Sequence, residues 1–148
     1  MKPNIVVARF RDGRVLKGSS LNVDPNRATF HLRTENGEVV VVRLQDLKAL
    51  FFVKDPSGNS DFQESFEATP GDARLVGAKR ISARFEDGET VVGMTHRWPL
   101  TGDSFFMVPI DPKSNNLRIL VNRAALAQVE RVDPGAAAPA AAPVVGKG

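Results

Sequence analysis

The chain contains no cysteine and no tyrosine, two histidines, one tryptophan, and no apolar run long enough to cross a membrane as a helix. The missing cysteines exclude disulfides, thiolate catalysis and cysteine-held metals together, and fit a reducing compartment. His31 and His96 are too few for a histidine metal cluster. There is no glycine-rich phosphate loop, no nucleophile elbow, and no close pair of acids in an apolar context. The N-terminal residues do not read as a secretory signal, since a basic start and an apolar stretch are missing. These absences set the expectation of a cytoplasmic, non-enzymatic protein without cofactor, metal site or membrane insertion.

What is present is ordinary for a globular chain: 148 residues, 42% hydrophobic, 25% charged, with a formal net charge of +3. The charge is unevenly spread. Residues 4–54 carry nine Lys/Arg against five Asp/Glu, and residues 79–133 carry eight against seven. Between them, residues 55–78 hold five acids and only Arg74. A mild basic surplus beside an acidic connector is a weak polyanion signal compared with a clustered basic stripe.

The dominant signal is an internal repeat. Val6-Val7-Ala8-Arg9-Phe10-Arg11-Asp12-Gly13 returns 75 residues later as Ile81-Ser82-Ala83-Arg84-Phe85-Glu86-Asp87-Gly88. The spacing holds for Gly18 to Gly93 and Phe30 to Phe105. After a four-residue insertion it resumes with Leu47 to Leu126, Leu50 to Val129 and Val53 to Val132. Within each repeat the opening residues alternate apolar and polar, the period of a half-buried strand. Asp12-Gly13 and Asp87-Gly88 then supply the positive backbone angles of a tight hairpin.

Gly18 and Gly93, each inside a second strand, mark a bend, bulge or close backbone approach. Strand three is read over Ala28 to Arg33 and Ser104 to Ile110, strand four over Val39 to Leu44 and Leu117 to Val121. A single helical turn near Gln45-Asp46-Leu47 or Ala124-Ala125-Leu126 precedes a fifth strand ending at Val53 or Val132.

The fold expected is therefore mainly β: two tandem five-stranded SH3-like or Sm-like small barrels with short one-turn helices. The first repeat spans residues 4–54 and the second 79–133. Residues 55–78 form an acidic connector anchored by Phe62 and Phe66, and the Ala/Pro/Gly composition of 134–148 reads as a disordered tail. A unit of about 60 residues buries only about 60% of its unfolded surface, so the repeats are expected to pack on each other. Phe51 and Phe52 are adjacent in a strand and face opposite sides, which makes one of them a candidate for that contact.

Three stretches carry a resemblance: the Ala-Arg-Phe-x-Asp-Gly openings, Leu47-Lys48-Ala49-Leu50-Phe51-Phe52-Val53-Lys54-Asp55, and Phe105-Phe106-Met107-Val108-Pro109-Ile110-Asp111-Pro112-Lys113-Ser114-Asn115-Asn116. Over roughly residues 5–132 the chain resembles an uncharacterised bacterial family of tandem small β-barrel domains. That resemblance implies a bacterial cytosolic protein and supplies no catalytic residues. Asn22-Val23-Asp24-Pro25-Asn26 loosely resembles the first motif of Sm-like RNA-binding barrels, but the Arg-Gly pair of their second motif is missing from both repeats. Arg74 and Arg80 could stand in for the arginine-rich entry of PilZ-type cyclic-dinucleotide receptors, whose second element is missing here.

The candidate partner-binding set is Trp98, Asp111, Lys113, Asn115, Asn116 and Arg118. The loop has no equivalent in the first repeat, and Trp is enriched at binding hot spots. Turn chemistry explains the loop equally well: Pro112 presets φ, Asp111 or Ser114 caps, and Asn115-Asn116 tolerates left-handed backbone. Trp98 fits an interface or a plug on the core. The resulting expectation is a protein-binding adaptor or regulator in bacterial signalling, with a response regulator or small GTPase as partner class from the resemblance alone. The alternative is single-stranded nucleic-acid binding through Arg9, Arg11, Arg14, Arg27, Arg33 and Arg43. A cyclic-dinucleotide receptor is a lesser alternative.

Overall fold

The structure, a computed structural model, describes residues 3–58 and 63–132. The first repeat contributes β1 (Asn4–Phe10), β2 (Val15–Ser20), β3 (Thr29–Thr34), β4 (Val39–Arg43) and β5 (Leu47–Val53). The second contributes β6 (Lys79–Phe85), β7 (Thr90–Thr95), β8 (Ser104–Met107), β9 (Asn116–Asn122) and β10 (Leu126–Arg131). Three-residue 3-10 turns occupy Leu44–Asp46, Ala73–Leu75 and Arg123–Ala125. The first and last precede β5 and β10, where each repeat was expected to turn once. Among the described residues no helix is long and apolar enough to cross a membrane.

The strands form two antiparallel sheets, one of seven in the order β4-β3-β2-β1-β5-β9-β8 and one of three in the order β10-β6-β7. Each repeat keeps the neighbour order five-one-two-three-four. In the second, the contact between strands two and three is reduced to one bridge, Met94 to Val108, where the first repeat has Gly18 to Thr34 and Ser19 to Arg33. β8 is shorter than expected because Pro109 has no N–H to continue the ladder.

Two separate five-stranded barrels are not what these strands form: neither repeat closes on itself, and strand four of the second is hydrogen-bonded to strand five of the first. β9 pairs β5 with Ala49 opposite Val121, Leu50 opposite Leu120 and Phe51 opposite Ile119. The reason lies in β5, where Ala49, Leu50, Phe51, Phe52 and Val53 are all buried. A strand apolar on both faces needs cover on both.

Two cores result. Val6, Ala8, Phe10, Phe30, Leu32, Val42, Leu50 and Phe52 pack together inside the first repeat, joined by Leu120 from the second. Ile81, Ala83, Phe85, Val91, Met107, Ile119 and Val121 pack inside the second, joined by Val7, Ala49, Phe51 and Val53 from the first. Each phenylalanine of the Phe51-Phe52 pair serves a different core, and full burial of such a side chain contributes about 1.5–3 kcal/mol. The rim of the joint is charged. Arg11 pairs with Glu86 at 2.9 Å, and Lys48 reaches Asp87 at 2.8 Å and Glu89 at 2.5 Å.

The glycine bends are close approaches. A Cβ on Gly18 would lie 2.1 Å from the Arg33 carbonyl oxygen, and one on Gly93 would lie 3.0 Å from the Val108 oxygen. Of the connector, Phe66, Leu75 and Ala78 pack over Val92, Met94 and Ile110 on the outer face of the second repeat. The expected Phe62 anchor and the 134–148 tail lie outside the described residues.

Candidate functional site

The Asp111 to Asn116 loop is held from within. The Asp111 carboxylate accepts backbone N–H groups from Ser65 and Lys113, each at 2.9 Å. The Ser114 hydroxyl donates to Glu64, and Asn115 exchanges two hydrogen bonds with Asp55, at 3.0 and 2.9 Å. Burial alone pushes the Asp111 carboxyl up, but the two backbone donors and the charges of Lys113 and Lys54 hold it below its ordinary value. Glu64 goes the other way: burial raises it and the Asp111 charge adds to the rise, against the Ser114 hydroxyl. The loop thus ties the connector to the start of β9.

Asn116 is buried, and among the described residues neither of its side-chain polar atoms has a hydrogen-bond partner. Arg118 lies over the rings of Phe52 and Phe106, at 4.3 and 4.6 Å, across the joint between repeats. Trp98 is half-buried against the core of the second repeat. Within the partner-binding set, Asp111, Lys113, Asn115 and Asn116 therefore share one loop, Arg118 sits further along β9, and Trp98 belongs to another segment. Lys113 is exposed.

The arginines of the nucleic-acid alternative do not gather as one stripe. Arg11 is engaged by Glu86 and by the Ala124 carbonyl, while Arg14 is paired with Asp12 and stacked on Phe10. Arg9 lies over Phe51 at 5.6 Å, and Arg33 is exposed on β3. Arg27 and Arg43 do converge. They line a groove of about 800 Å³ at the seam between repeats, together with Arg123, Gln45, Asn122 and Asp103. Leu44, Leu47 and Leu120 also line it. Arg27 is paired with Asp24 at 3.7 Å, Arg123 donates to the Gly102 carbonyl at 3.1 Å, and Arg43 makes no ion pair among the described residues.

A third feature is the outer edge of β4, to which no strand is paired among the described residues. Val39 and Val41 on its outward face are 55% and 59% exposed, whereas Val42 on the inward face is 2% exposed. Thr34 N–H donates to the Glu38 oxygen and Leu44 N–H to the Ala28 oxygen, so even-numbered residues bond β3. The peptide groups of Val39, Val41 and Arg43 face outward.

A family model described as a family of unknown function, DUF6982, matches residues 2–133. The chain belongs to DUF6982. No curated protein and no solved structure matches it. Family membership thus covers both repeats of this DUF6982 chain and brings no residue roles with it. Sequence reading missed the groove partners: Gln45, two residues after Arg43 in the same repeat, and Arg123 and Asn122, which reach them only because β9 pairs β5. Open strand edges, where a partner strand could add main-chain hydrogen bonds, belong to the binding surface the sequence suggests, and a local signal singles out β4: Val39-Val40-Val41-Val42 is apolar on both faces, like β5, yet only one face is covered.

Proposed function

We propose that this protein is a non-enzymatic binding adaptor or regulator that takes an extended segment of another protein along the open edge of β4. The observation that carries this reading is the exposure of Val39 and Val41 beside outward-facing peptide groups. An unpaired, apolar edge is a liability unless something covers it, and strand addition supplies main-chain hydrogen bonds and side-chain pockets together. The conserved neighbour order five-one-two-three-four supports an SH3-like or Sm-like ancestry for each repeat. A bacterial cytosolic setting, with a response regulator or small GTPase as partner, is part of this proposal and rests on the resemblance. In it the Asp111 to Arg118 segment serves the architecture, and Lys113 and Trp98 remain available at its margin.

The test is affinity capture from bacterial lysate, with and without nuclease, comparing the wild-type chain with Val41→Lys. A discrete protein retained after nuclease and lost with Val41→Lys supports the adaptor; equal recovery by both chains sinks it.

The seam groove favours a second reading, in which Arg27, Arg43 and Arg123 hold an anion such as a single-stranded nucleic-acid backbone. Asp103 in the same lining, and three leucines where stacking aromatics would be needed, make it the weaker of the two. Binding of a fluorescent oligonucleotide that falls steeply with added salt, and is lost with Arg43→Gln, would establish it.

A further inference from the structure

The joint inside the molecule shows what the open edge lacks. We infer that β4 is completed by a partner strand running antiparallel and apolar on both faces, as β5 completes β9, and that the protein's own β10 is unfit for that place. This rests on the edge reading above and names the chemistry of its partner.

β4 and β9 are equivalent strands, offset by 79 residues: Phe30 pairs Val42 as Phe105 pairs Val121, and Thr29 pairs Arg43 as Ser104 pairs Asn122. Val41 is thus the counterpart of Leu120, which is 2% exposed because pairing with β5 sets it in the core of the first repeat. The Arg123 N–H donates to Asp103 as Leu44 N–H donates to Ala28, so both strands turn equivalent peptide groups outward. In β9 those groups meet β5; in β4 they meet no strand among the described residues.

The internal register then transfers to the missing strand. Residues in the places of Ala49, Leu50, Phe51 and Phe52 fall opposite Val42, Val41, Val40 and Val39. β10 would be the strand to fill this place if chains added end to end. Its equivalents of Ala49, Phe51 and Phe52 are Gln128, Glu130 and Arg131. These put polar and charged groups where the joint buries apolar ones, a common way of blunting an edge. The chain is built to stop at two repeats while leaving β4 receptive.

The test uses two synthetic peptides and the whole chain labelled with ¹⁵N. One peptide copies residues 46–54, the other residues 125–132. The first is expected to bind saturably, to shift and protect the amides of Val39, Val41 and Arg43, and to bind at least tenfold more weakly to Val41→Lys. The second is expected to bind at least tenfold more weakly than the first. The inference is overturned if both peptides bind alike, or if the shifts fall on Arg118, Leu120 and Asn122, meaning that the peptide has displaced β5. Concentration-dependent growth of the chain alone by light scattering would overturn it too, since β10 would then serve. If neither peptide binds while lysate capture still depends on Val41, the partner chemistry inferred here fails and the edge reading survives.

Discussion

β5 and β10 hold the same place in the two repeats, yet one is buried on both faces and the other shows Ala127, Gln128, Glu130 and Arg131 to solvent. The same contrast runs between β9, with Leu120 buried, and β4, with Val41 exposed. The second strands differ as well. β7 is buried throughout, with Val92 and Met94 under Phe66 and Leu75, whereas β2 leaves Val15 exposed. Two copies of one unit have been made unequal at each surface where they could meet. The inner surfaces are apolar and matched, while the outer ones are polar at β10 and open at β4. The joint stabilises both repeats, and the polar outer strand β10 withholds a second joint of the same kind, which is what separates a two-repeat module from an open-ended array.

The sharpest way to break that comparison is to truncate equivalent residues. Phe51→Ala removes a ring from the core of the second repeat while sitting in a strand of the first, and should lower unfolding free energy by about 4 kcal/mol. Glu130→Ala, its counterpart, should change it by less than about 0.5 kcal/mol. Urea unfolding followed by Trp98 fluorescence and by far-UV circular dichroism should give one coincident transition for the wild type. Two separate transitions, or equal effects of the two substitutions, would mean that the joint is superficial.

The bends come next. Gly18→Ala forces a methyl group into the Arg33 carbonyl, and backbone cannot step aside as a side chain can; about 3 kcal/mol is expected. Gly93→Ala meets the flexible end of Met107 and the Val108 oxygen at 3.0 Å, for about 1 kcal/mol. The reverse order in the same urea experiment would show that the single Met94 to Val108 bridge is the more rigid contact. Smaller again is the edge pair, where Leu120→Ala should cost about 2.5 kcal/mol and Val41→Ala less than about 0.5 kcal/mol. A Val41→Ala cost near that of Leu120→Ala would mean that β4 is already covered in solution.

The repeat made most of the fold legible, because period-2 alternation, Asp-Gly turns and paired glycines are local signals and appear twice. Strand starts and ends followed from them to within a residue or two, except at β8, where Pro109 ends the ladder early. What local signals could not carry was the partner of each edge. Nothing in Leu117-Arg118-Ile119-Leu120 states that it bonds β5 and not β10, since that choice depends on burying Phe51 and Leu120 at once, a property of the whole chain. The groove was invisible for the same reason: Arg27 and Arg43 adjoin within the first repeat, but Arg123 comes to them only after β9 has chosen β5. The Asp111 loop was legible as turn chemistry. Its bonds to Asp55, Glu64 and Ser65 were not, because the connector offered no periodicity to place it.

That loop supplies the smallest and most selective test of the inequality, since the first repeat has only the turn Thr34 to Gly37 in its place. Glu64 and Asp111 are shifted in opposite directions, and the signs of their effects on stability differ accordingly. The native Glu64 carboxyl holds its proton more tightly than in the unfolded chain. Its contribution is therefore full below the ordinary glutamate pKa of about 4.3, and is lost as pH rises through the higher native value. Asp111 releases its proton more readily when folded. It therefore contributes above the ordinary aspartate pKa of about 3.9, and that contribution is lost as pH falls through the lower native value. Glu64→Gln should thus gain on the wild type as pH is raised from about 4, while Asp111→Asn should lose most at neutral pH and converge on it in acid. Urea midpoints measured from pH 3 to 8 for the three chains decide this. Curves that stay parallel would show that neither carboxyl senses the loop, and that the connector is not fastened to the second repeat through Ser65 and Ser114.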